Sequence, residues 1–418
     1  SMKNKIITGI DIGTTKIAII IAEVQNDTVN ILGFGESESN GLRKGIVVDI
    51  NSTVASLEKA LEIAEKQAGF EVESAYVGLT GGHIKAINCS GAITVANSDY
   101  VDPEGSTITE DHIEKVLKHA QAISMAPDKK ILHTLIKEYR VDENDNIKNP
   151  IGLSGHRLEA NVLLVTIARN IEKDLKTCLD TVGIEFDGFI LEPIASAFSV
   201  LDEDEKNLGV ALIDIGGGTS DIIVFYNNSI LHTGTVEHGG ESITNDIAYG
   251  LNTSIKQAEI LKCEHGMAKA SLSNDKDNIV ISGTNGREDI SISQKKLSKI
   301  IEARMREIFI LANVEIQNNN VNQNLNFGIV LTGGGSKLNN ISELAREIFN
   351  MDIKIGKPNS INGLNDIIEN PRYATTIGLV KYAIENIDTY ENKYETTEIN
   401  NWFKNKISTI KKIIKDKF

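Results

Sequence analysis

The stretch that decides the fold is VALIDIGGGTSDIIVFY, Val210 to Tyr226. An unbroken apolar run reaches Asp214, a turn of three glycines follows (Gly216, Gly217 and Gly218, then Thr219), and a second β-rich run begins after Asp221. This pattern predicts a β-hairpin whose tip is almost bare backbone. Main-chain N–H groups can converge on an anion in such a turn, so we expect it to bind phosphate. Asp214 would face that phosphate through a hydrated Mg²⁺ ion.

The same plan occurs near the start of the chain, in GIDIGTTKIAIIIA, Gly9 to Ala22. Asp11 ends one apolar run, Gly13, Thr14 and Thr15 form the turn, and Lys16 adds a cation before the second run. Repetition at so long an interval indicates a duplicated domain, because a solenoid repeats over a much shorter period. We therefore predict an α/β fold of two similar lobes, each offering a phosphate hairpin to a nucleoside triphosphate.

Three further motifs extend the predicted nucleotide site. A strand leads into Gly333, followed by Gly334, Gly335, Ser336 and Lys337 at the start of a predicted helix, where the backbone can approach an α-phosphate and adenosine. Gly240 and Glu241 open another helix. Glu259 and Lys262 share a helix face and would either hold ribose hydroxyls or form a surface ion pair.

Glu192 ends a predicted strand directly before Pro193. Two interpretations stay open. The carboxylate would orient the water that attacks the terminal phosphate, or it would simply stabilise the start of a helix through the helix dipole.

Composition limits the function classes. The chain has 418 residues, 41% of them hydrophobic, and a formal charge of -15, which argues against a general nucleic-acid binder. Three scattered cysteines form no disulfide framework or CxxC pair, and no run of 18 apolar residues predicts a membrane span. We expect a cytoplasmic protein.

Between about residue 85 and residue 159 the pattern changes to alternating strands around one helix, without a catalytic constellation, so we expect an interaction module there. A charged linker, Asp202 to Asn207, is predicted to lead to the second lobe. Later, a long helix from Gln294 to Ile316 carries a basic strip that includes Lys299 and Arg304. Such strips are usually solvated, but an acidic peptide would find this one first. An Asn-rich loop, Gln317 to Asn326, is predicted to be a flexible connector.

The end of the chain differs in character. Residues 384–401 are poor in large aliphatic side chains and are predicted to form a flexible tether. Residues 402–418 contain six lysines, a single aspartate and an apolar stripe at helical spacing. A cationic amphipathic helix of this kind binds anionic membranes, although a helix docked on its own domain is the alternative. The predicted membrane-facing residues are Trp402, Phe403, Ile407, Ile410 and Ile414.

The two hairpins and the TGGGS turn, Thr332 to Ser336, resemble the actin-like ATPase superfamily. Three more segments are similar to signatures of the FtsA family: PIGLSGHRLEA (150–160), LEPIASA (191–197) and NPRYATTIGLV (370–380). With the insert and the tail, the resemblance covers residues 5–418. It implies two ribonuclease-H-like lobes, with an SHS2-type insert in the first and a C-terminal amphipathic helix.

The resemblance also implies a domain plan. The first lobe would comprise 2–84 and 160–206, the insert 85–159, the second lobe 207–236 and 325–383, its subdomain 237–324, the tether 384–401 and the membrane helix 402–418.

The function implied by the family is that of a bacterial division protein. It would bind Mg-ATP between its lobes, polymerise into actin-like filaments on the cytoplasmic face of the cell membrane, and tether FtsZ filaments of the Z-ring there. Carried over by position, residues 13–16 and 216–219 would contact phosphate, Asp11 and Asp214 would order the magnesium through water, and Arg304 would bind the acidic C-terminal peptide of FtsZ. The insert would contact later divisome proteins. The Asn-rich loop departs from the composition usual in the family.

Two rival functions belong to the same fold. A pilus-assembly protein of PilM type would bind a peptide from an inner-membrane partner and would lack the lysine-rich tail. A metabolite kinase would need a sugar-sized cleft with a catalytic Asp, for which the insert offers no candidate.

Overall fold

The computed structural model describes residues 5–25, 28–96, 102–122, 125–319, 321–359 and 369–385. They form two compact units. The larger consists of residues up to Ala86 together with Ile167–Lys381, and the smaller is built from Ile87–Thr166 and the described residues after Lys381.

The first half of the larger unit is a five-stranded sheet. Its strands are β1 (Lys5–Ile12), β2 (Lys16–Gln25), β3 (Thr28–Glu38), β6 (Ser74–Leu79) and β13 (Glu185–Leu191), in the order β13-β6-β1-β2-β3. β1, β2 and β3 form an antiparallel meander, whereas β6 runs parallel to both β1 and β13. Helices α1 (Ile50–Ala68), α3 (Arg169–Thr181) and α4 (Glu192–Val200) and the short strands β4 (Leu42–Arg43) and β5 (Ile46–Val47) complete this first lobe.

The second half repeats that topology. Its sheet contains β14 (Val210–Ile215), β15 (Ser220–Tyr226), β16 (Ser229–Val236), β19 (Ile329–Thr332) and β20 (Ile353–Ile355), in the order β16-β15-β14-β19-β20. The order is the first sheet read from its other edge, with the same antiparallel meander and the same parallel strands. The duplication predicted from the two hairpins is therefore confirmed at the level of whole sheets.

Six helices accompany this second lobe among the described residues. They are α5 (Glu203–Leu208), α6 (Gly240–Leu251), α7 (Ile255–His265), α8 (Gln294–Asn318), α9 (Ile341–Phe349) and α10 (Ala374–Glu385). A small hairpin, β17 (Ile279–Ile281) with β18 (Ile290–Ile292), precedes α8. The apolar faces of α6, α7, α8 and α9 share one core with β14 and β15, and Phe309 is its largest fully buried side chain.

The smaller unit is a four-stranded sheet with a helix. β7 (Lys85–Thr94), β9 (Lys129–Val141), β10 (Asn144–Ile147) and β12 (Arg157–Ala168) lie in the order β10-β9-β12-β7. Helix α2 (Glu110–Gln121) contributes Ile113, Val116 and Leu117 to the core of this unit, and a two-residue pair joins β8 (Ser106–Thr107) to β11 (Ser154–Gly155). This agrees with the alternating strands around one helix that the sequence predicts for about residues 85–159.

Some local predictions were wrong. Residues 202–207 were predicted to be a linker, yet Glu203–Leu208 is a helix because Asp202 and Glu205 form a capping box. Helix α1 also has a side-chain cap, because Asp49 accepts a hydrogen bond from the Ser52 N–H.

The helix predicted from Lys337 begins only at Ile341. A short 3₁₀ turn, Gly334–Lys337, comes first. The predicted Asn-rich loop starts later than expected, because α8 continues to Asn318.

No helix among the described residues is long and apolar enough to cross a membrane. The predicted tether and membrane helix lie outside the described residues, apart from the last turn of α10.

Candidate functional site

The two predicted phosphate hairpins have the same turn geometry. The Gly13 N–H donates to the Lys16 carbonyl at 2.9 Å, and the Gly216 N–H donates to the Thr219 carbonyl, also at 2.9 Å. Each hairpin has an aspartate near the end of its first strand, which is Asp11 in β1 and Asp214 in β14. The two lobes therefore present equivalent loops built from the same local sequence.

The tips of the two hairpins lie against each other. A Cβ atom on Gly217 would come within 2.4 Å of the Thr15 hydroxyl, and one on Gly218 would come within 2.7 Å of the Thr14 hydroxyl. Such distances leave no room for a side chain, so glycine is required by the close approach of the opposite loop. The structure thus brings Thr14, Thr15, Gly217 and Gly218 together.

Asp214 is buried and held by hydroxyl groups from outside its own hairpin. Its Oδ2 atom accepts hydrogen bonds from the Ser196 hydroxyl (2.5 Å) and the Thr375 hydroxyl (2.9 Å). Burial raises the pKa of Asp214, the two hydroxyls oppose that change, and the charge of Asp11 adds to it. Asp11 is also buried, with 7% of its surface exposed.

Glu192 is the first residue of α4 and faces the same carboxyl groups. Its pKa is raised well above the usual value, first by burial and then by the nearby charge of Asp11. Its Oε1 atom is buried without a hydrogen-bond partner in the described part of the chain. A carboxyl group that only capped its helix would not need to meet Asp11, so the geometry favours the interpretation in which Glu192 belongs to the site.

Asp221 is a site residue that the sequence reasoning did not single out. It is buried at the start of β15, accepting hydrogen bonds from Thr80 (2.6 Å) and Thr235 (2.9 Å). Burial raises its pKa to about 7, and the nearby charges of Asp214 and Asp11 contribute. The sequence signal that could have pointed to it is a third glycine turn, Thr80-Gly81-Gly82. The hydroxyl of Thr80 is what this turn brings to the cleft.

Lys16 enters this acidic cluster from the first hairpin. Its Nζ atom donates to the Arg372 carbonyl at 2.8 Å and lies 4.5 Å from the centre of the Tyr373 ring. Burial lowers the pKa of Lys16 to about 8, although Asp11 acts in the opposite direction. Lys16 thus lies near the carboxyl groups of Asp11, Glu36 and Asp214.

The residues predicted to hold the nucleoside are joined to the second hairpin. The N–H groups of Gly240 and Glu241 donate to the carbonyls of Gly216 (2.9 Å) and Gly217 (2.8 Å). Lys262 pairs with Glu259 at 2.8 Å and also donates to the Gly240 carbonyl at 3.1 Å. The pair therefore connects α7 to the N-terminus of α6 rather than forming an isolated surface contact.

The TGGGS turn packs against the end of β14. Gly333 has a φ of 82°, and a Cβ atom there would lie 2.3 Å from Oδ1 of Asp214. Ser336 is buried and donates to the Gly333 carbonyl at 2.7 Å, whereas Gly334 and Lys337 are exposed and Gly335 is half-buried. The turn therefore offers backbone at the surface next to Asp214.

The basic strip on α8 forms ion pairs with acidic side chains. Arg304 binds Asp246 of α6 through two N–H groups (2.7 and 2.9 Å) and also Glu307 (2.9 Å). Lys299 is exposed. Much of the strip's charge is thus already paired with acidic neighbours, and Lys299 is more open to a partner than Arg304.

Comparison with known proteins decides the family. A family model described as "Cell division protein FtsA" matches residues 211–378, and one described as "SHS2 domain inserted in FTSA" matches residues 81–166. The chain is 40% identical over 382 residues to cell division protein FtsA of Pseudomonas aeruginosa, covering 91% of this chain and 90% of that protein. This chain belongs to the FtsA family. The FtsA of Escherichia coli strain K12 is 34% identical over 419 residues, covering 98% of both chains.

Solved structures agree with the actin-like fold expected of an FtsA. A structure of the "PilM-PilN type IV pilus biogenesis complex" has a TM-score of 0.64 at 12% identity, covering 92% of this chain and 99% of that one. MreB5 of Spiroplasma citri bound to ADP has a TM-score of 0.54 at 14% identity, covering 94% and 98%. Identities this low show the fold alone, so the likeness to PilM does not support the pilus-assembly alternative.

Proposed function

We propose that this member of the FtsA family binds Mg-ATP between its two hairpins and uses the bound state to assemble on the cytoplasmic face of the cell membrane. The observation that carries the proposal is the meeting of the two equivalent turns, Gly13–Lys16 and Gly216–Thr219, above four buried carboxyl groups. Solved MreB5 structures of the same fold are described as bound to ADP and to AMPPNP, which supports a nucleotide in this cleft.

Each part of the site would have a defined role. Backbone N–H groups of the two turns and Lys16 would bind the phosphates. Glu192 would orient a water molecule. The nucleoside would be held by a third group of residues, namely Gly240, Glu241, Glu259, Lys262 and 334–337.

The chemistry of the donor set fits a divalent cation. Burial raises the pKa values of Glu192, Asp214 and Asp221, and the charge of Asp11 adds to each of these changes. The Oε1 atom of Glu192 is buried without a hydrogen-bond partner among the described residues. No three His, Cys, Asp or Glu side chains among the described residues are arranged to hold a metal ion directly, which suits Asp11 and Asp214 acting through water. Magnesium would supply positive charge that offsets both the carboxylates and the phosphates.

Calorimetric titration with Mg-ATP tests this site. We expect the intact chain to bind, Asp214→Asn to bind at least tenfold more weakly, and Asp277→Asn, which changes an exposed carboxylate, to bind like the intact chain. Unchanged binding by Asp214→Asn would exclude the proposed role of the carboxylate. Absence of binding by the intact chain would exclude the proposal as a whole.

We further propose that residues 402–418 anchor the assembly to anionic lipid. Both charge and apolar contact would favour membrane binding by this segment. Each of its six lysines would contribute about 1 kcal/mol near the surface, and the apolar contact would come from Trp402, Phe403, Ile407, Ile410 and Ile414. Sedimentation with liposomes, followed by electron microscopy on lipid monolayers with ATP, compares the intact chain with a chain ending at residue 401. Equal pelleting of both chains would contradict the anchor, and monomers in both would contradict filament assembly.

Tethering of FtsZ would use the surface of α8. An acidic C-terminal peptide of FtsZ would meet Lys299 directly, and it would reach Arg304 by displacing Asp246. Fluorescence anisotropy with that peptide should show weaker binding for Lys299→Glu but not for Lys59→Glu, which reverses an exposed charge on α1. Equal effects of the two variants would mean that only overall charge matters. The smaller unit, lacking any site residue, is proposed to contact later divisome proteins at the division site.

A further inference from the structure

Lys16 is fixed by residues distant in sequence. Its ammonium donates to the Arg372 carbonyl at 2.8 Å and lies over the Tyr373 ring, 4.5 Å from the ring centre. Arg372 and Tyr373 belong to a short 3₁₀ helix, Pro371–Tyr373, that directly precedes α10. One lysine thus has both a hydrogen-bond acceptor and an aromatic face in a segment 356 residues later in the chain.

The aromatic face is itself held in place from the first lobe. Phe34 meets Tyr373 edge-to-face, with the ring centres 4.9 Å apart and the planes at 73°. Glu36 binds the Arg372 guanidinium at 2.9 Å. Because Lys16 pairs with Glu38 in the register of β2 and β3, and side chains alternate along a strand, Phe34 and Glu36 lie on the same face of the sheet as Lys16.

The same 3₁₀ helix also contacts the TGGGS turn. The Gly333 N–H donates to the Pro371 carbonyl at 3.1 Å. One short segment therefore contacts both Lys16, the lysine proposed to bind phosphate, and the glycine turn beside Asp214. An aromatic ring in this position attracts the ammonium without donating or accepting its hydrogen bonds, so N–H groups of Lys16 stay available for a ligand.

We propose that Tyr373, held by Phe34 and, through its neighbour Arg372, by Glu36, is a positioning residue that places the Lys16 ammonium for contact with the phosphates of the bound nucleotide. This rests on the proposed function, since it assigns Tyr373 to the same site. The Tyr373 ring and the Arg372 carbonyl fix the direction of the long Lys16 side chain before the nucleotide binds. Without them, the side chain would lose its rotamer freedom on binding, and this entropy cost would weaken the affinity.

The test is calorimetric titration of the full-length chain with Mg-ATP in a double-mutant cycle. Tyr373→Leu removes the aromatic face and should weaken binding roughly 2- to 30-fold, the range for one cation–π contact. Tyr373→Phe keeps the ring and should restore most of the affinity. In a Lys16→Met background, which has no ammonium to place, Tyr373→Leu should cause little further loss.

The outcomes separate the inference from the function on which it rests. If the intact chain does not bind Mg-ATP, the proposed function fails. The positioning role is wrong if the intact chain binds and Tyr373→Leu binds equally well. It is also wrong if Tyr373→Leu loses as much affinity in the Lys16→Met background as in the intact chain.

Phe34→Leu provides a second variant should Tyr373→Leu not fold, as judged by circular dichroism. It leaves both partners of Lys16 in place but removes the edge-to-face support of the ring. We expect a smaller loss of affinity that also disappears in the Lys16→Met background. The same loss in both backgrounds would overturn the proposal.

Discussion

Replacing Asp221 by Asn should stabilise the protein near neutral pH and destabilise it near pH 4, where only the loss of hydrogen bonds remains. Burial raises the pKa of Asp221 from 3.8 to about 7 in the folded chain. Between these values the folded state holds a proton that the unfolded state has lost, so the free energy of unfolding falls as pH rises through this window. A difference of about 3 pKa units corresponds to roughly 4 kcal/mol lost by pH 7.

Asparagine cannot ionise, so the variant avoids that loss. It gives back part of the gain, because Thr80 and Thr235 both donate to the carboxylate and the amide offers them only one oxygen. The weakened hydrogen bonds cost about 1 to 3 kcal/mol. Subtracting this cost from the gain leaves a net stabilisation of roughly 1 to 3 kcal/mol at pH 7.

Thermal unfolding followed by circular dichroism between pH 4 and pH 8, without nucleotide or magnesium, measures this effect. The difference in melting temperature between Asp221→Asn and the unmodified chain should grow as pH rises. The exposed control Asp277→Asn should show a difference that does not grow with pH. An Asp221→Asn difference that is flat or shrinks with rising pH would show that the carboxyl group is not destabilised in the folded state.

Three further predictions concern single contacts. Asp49→Ala removes the cap of α1 and should lower the free energy of unfolding by about 1 kcal/mol, measured by urea unfolding against an exposed Asp277→Ala control. Gly209→Ala should be strongly destabilising and give little soluble protein on expression, since φ there is 107° and a Cβ atom would lie 1.6 Å from a backbone carbonyl oxygen. Asp246→Ala frees the guanidinium of Arg304 and should strengthen binding of an acidic FtsZ peptide in anisotropy titrations; weaker binding would mean that Asp246 orients Arg304 for the peptide.

The sheets could be predicted from sequence because their signal is local. In both hairpins an apolar run, an aspartate, a glycine turn and a second apolar run follow one another within about 17 residues, and β-hairpins need no distant partner to be recognised. Repetition of that local signal then predicted the duplication. The strand order of the two sheets follows from the same repeat, as the matching meanders show.

The errors have equally local causes. Residues 202–207 were predicted to be a linker because they are highly charged. In the structure, Asp202 and Glu205 form a capping box at the start of a helix, and a count of charges does not reveal that pattern. Lys337 was predicted to begin a helix directly after the glycine turn, although the last two glycines and the following residues first form a 3₁₀ turn.

The site itself was predictable only in part, since sequence shows the chemical groups and not the partners that orient them. Asp214 is held by Ser196 and Thr375, Asp221 by Thr80, and Lys16 by Arg372 and Tyr373. Of these partners, Thr375, Thr80 and Arg372 are 161, 141 and 356 residues from the group they hold. No periodicity or motif relates residues so far apart.

These long-range contacts make the site a property of both lobes together. Thr80 follows a strand of the first lobe and holds Asp221 of the second, and Ser196 of α4 holds Asp214. Lys16 of the first hairpin contacts the 3₁₀ helix Pro371–Tyr373 of the second lobe. Separating the lobes would take the Ser196 hydroxyl from Asp214 and the Thr80 hydroxyl from Asp221, and it would leave Lys16 without its acceptor and ring. A ligand that bridges the two turns would therefore favour the arrangement in which these groups are already oriented, because only that arrangement offers it both turns at once.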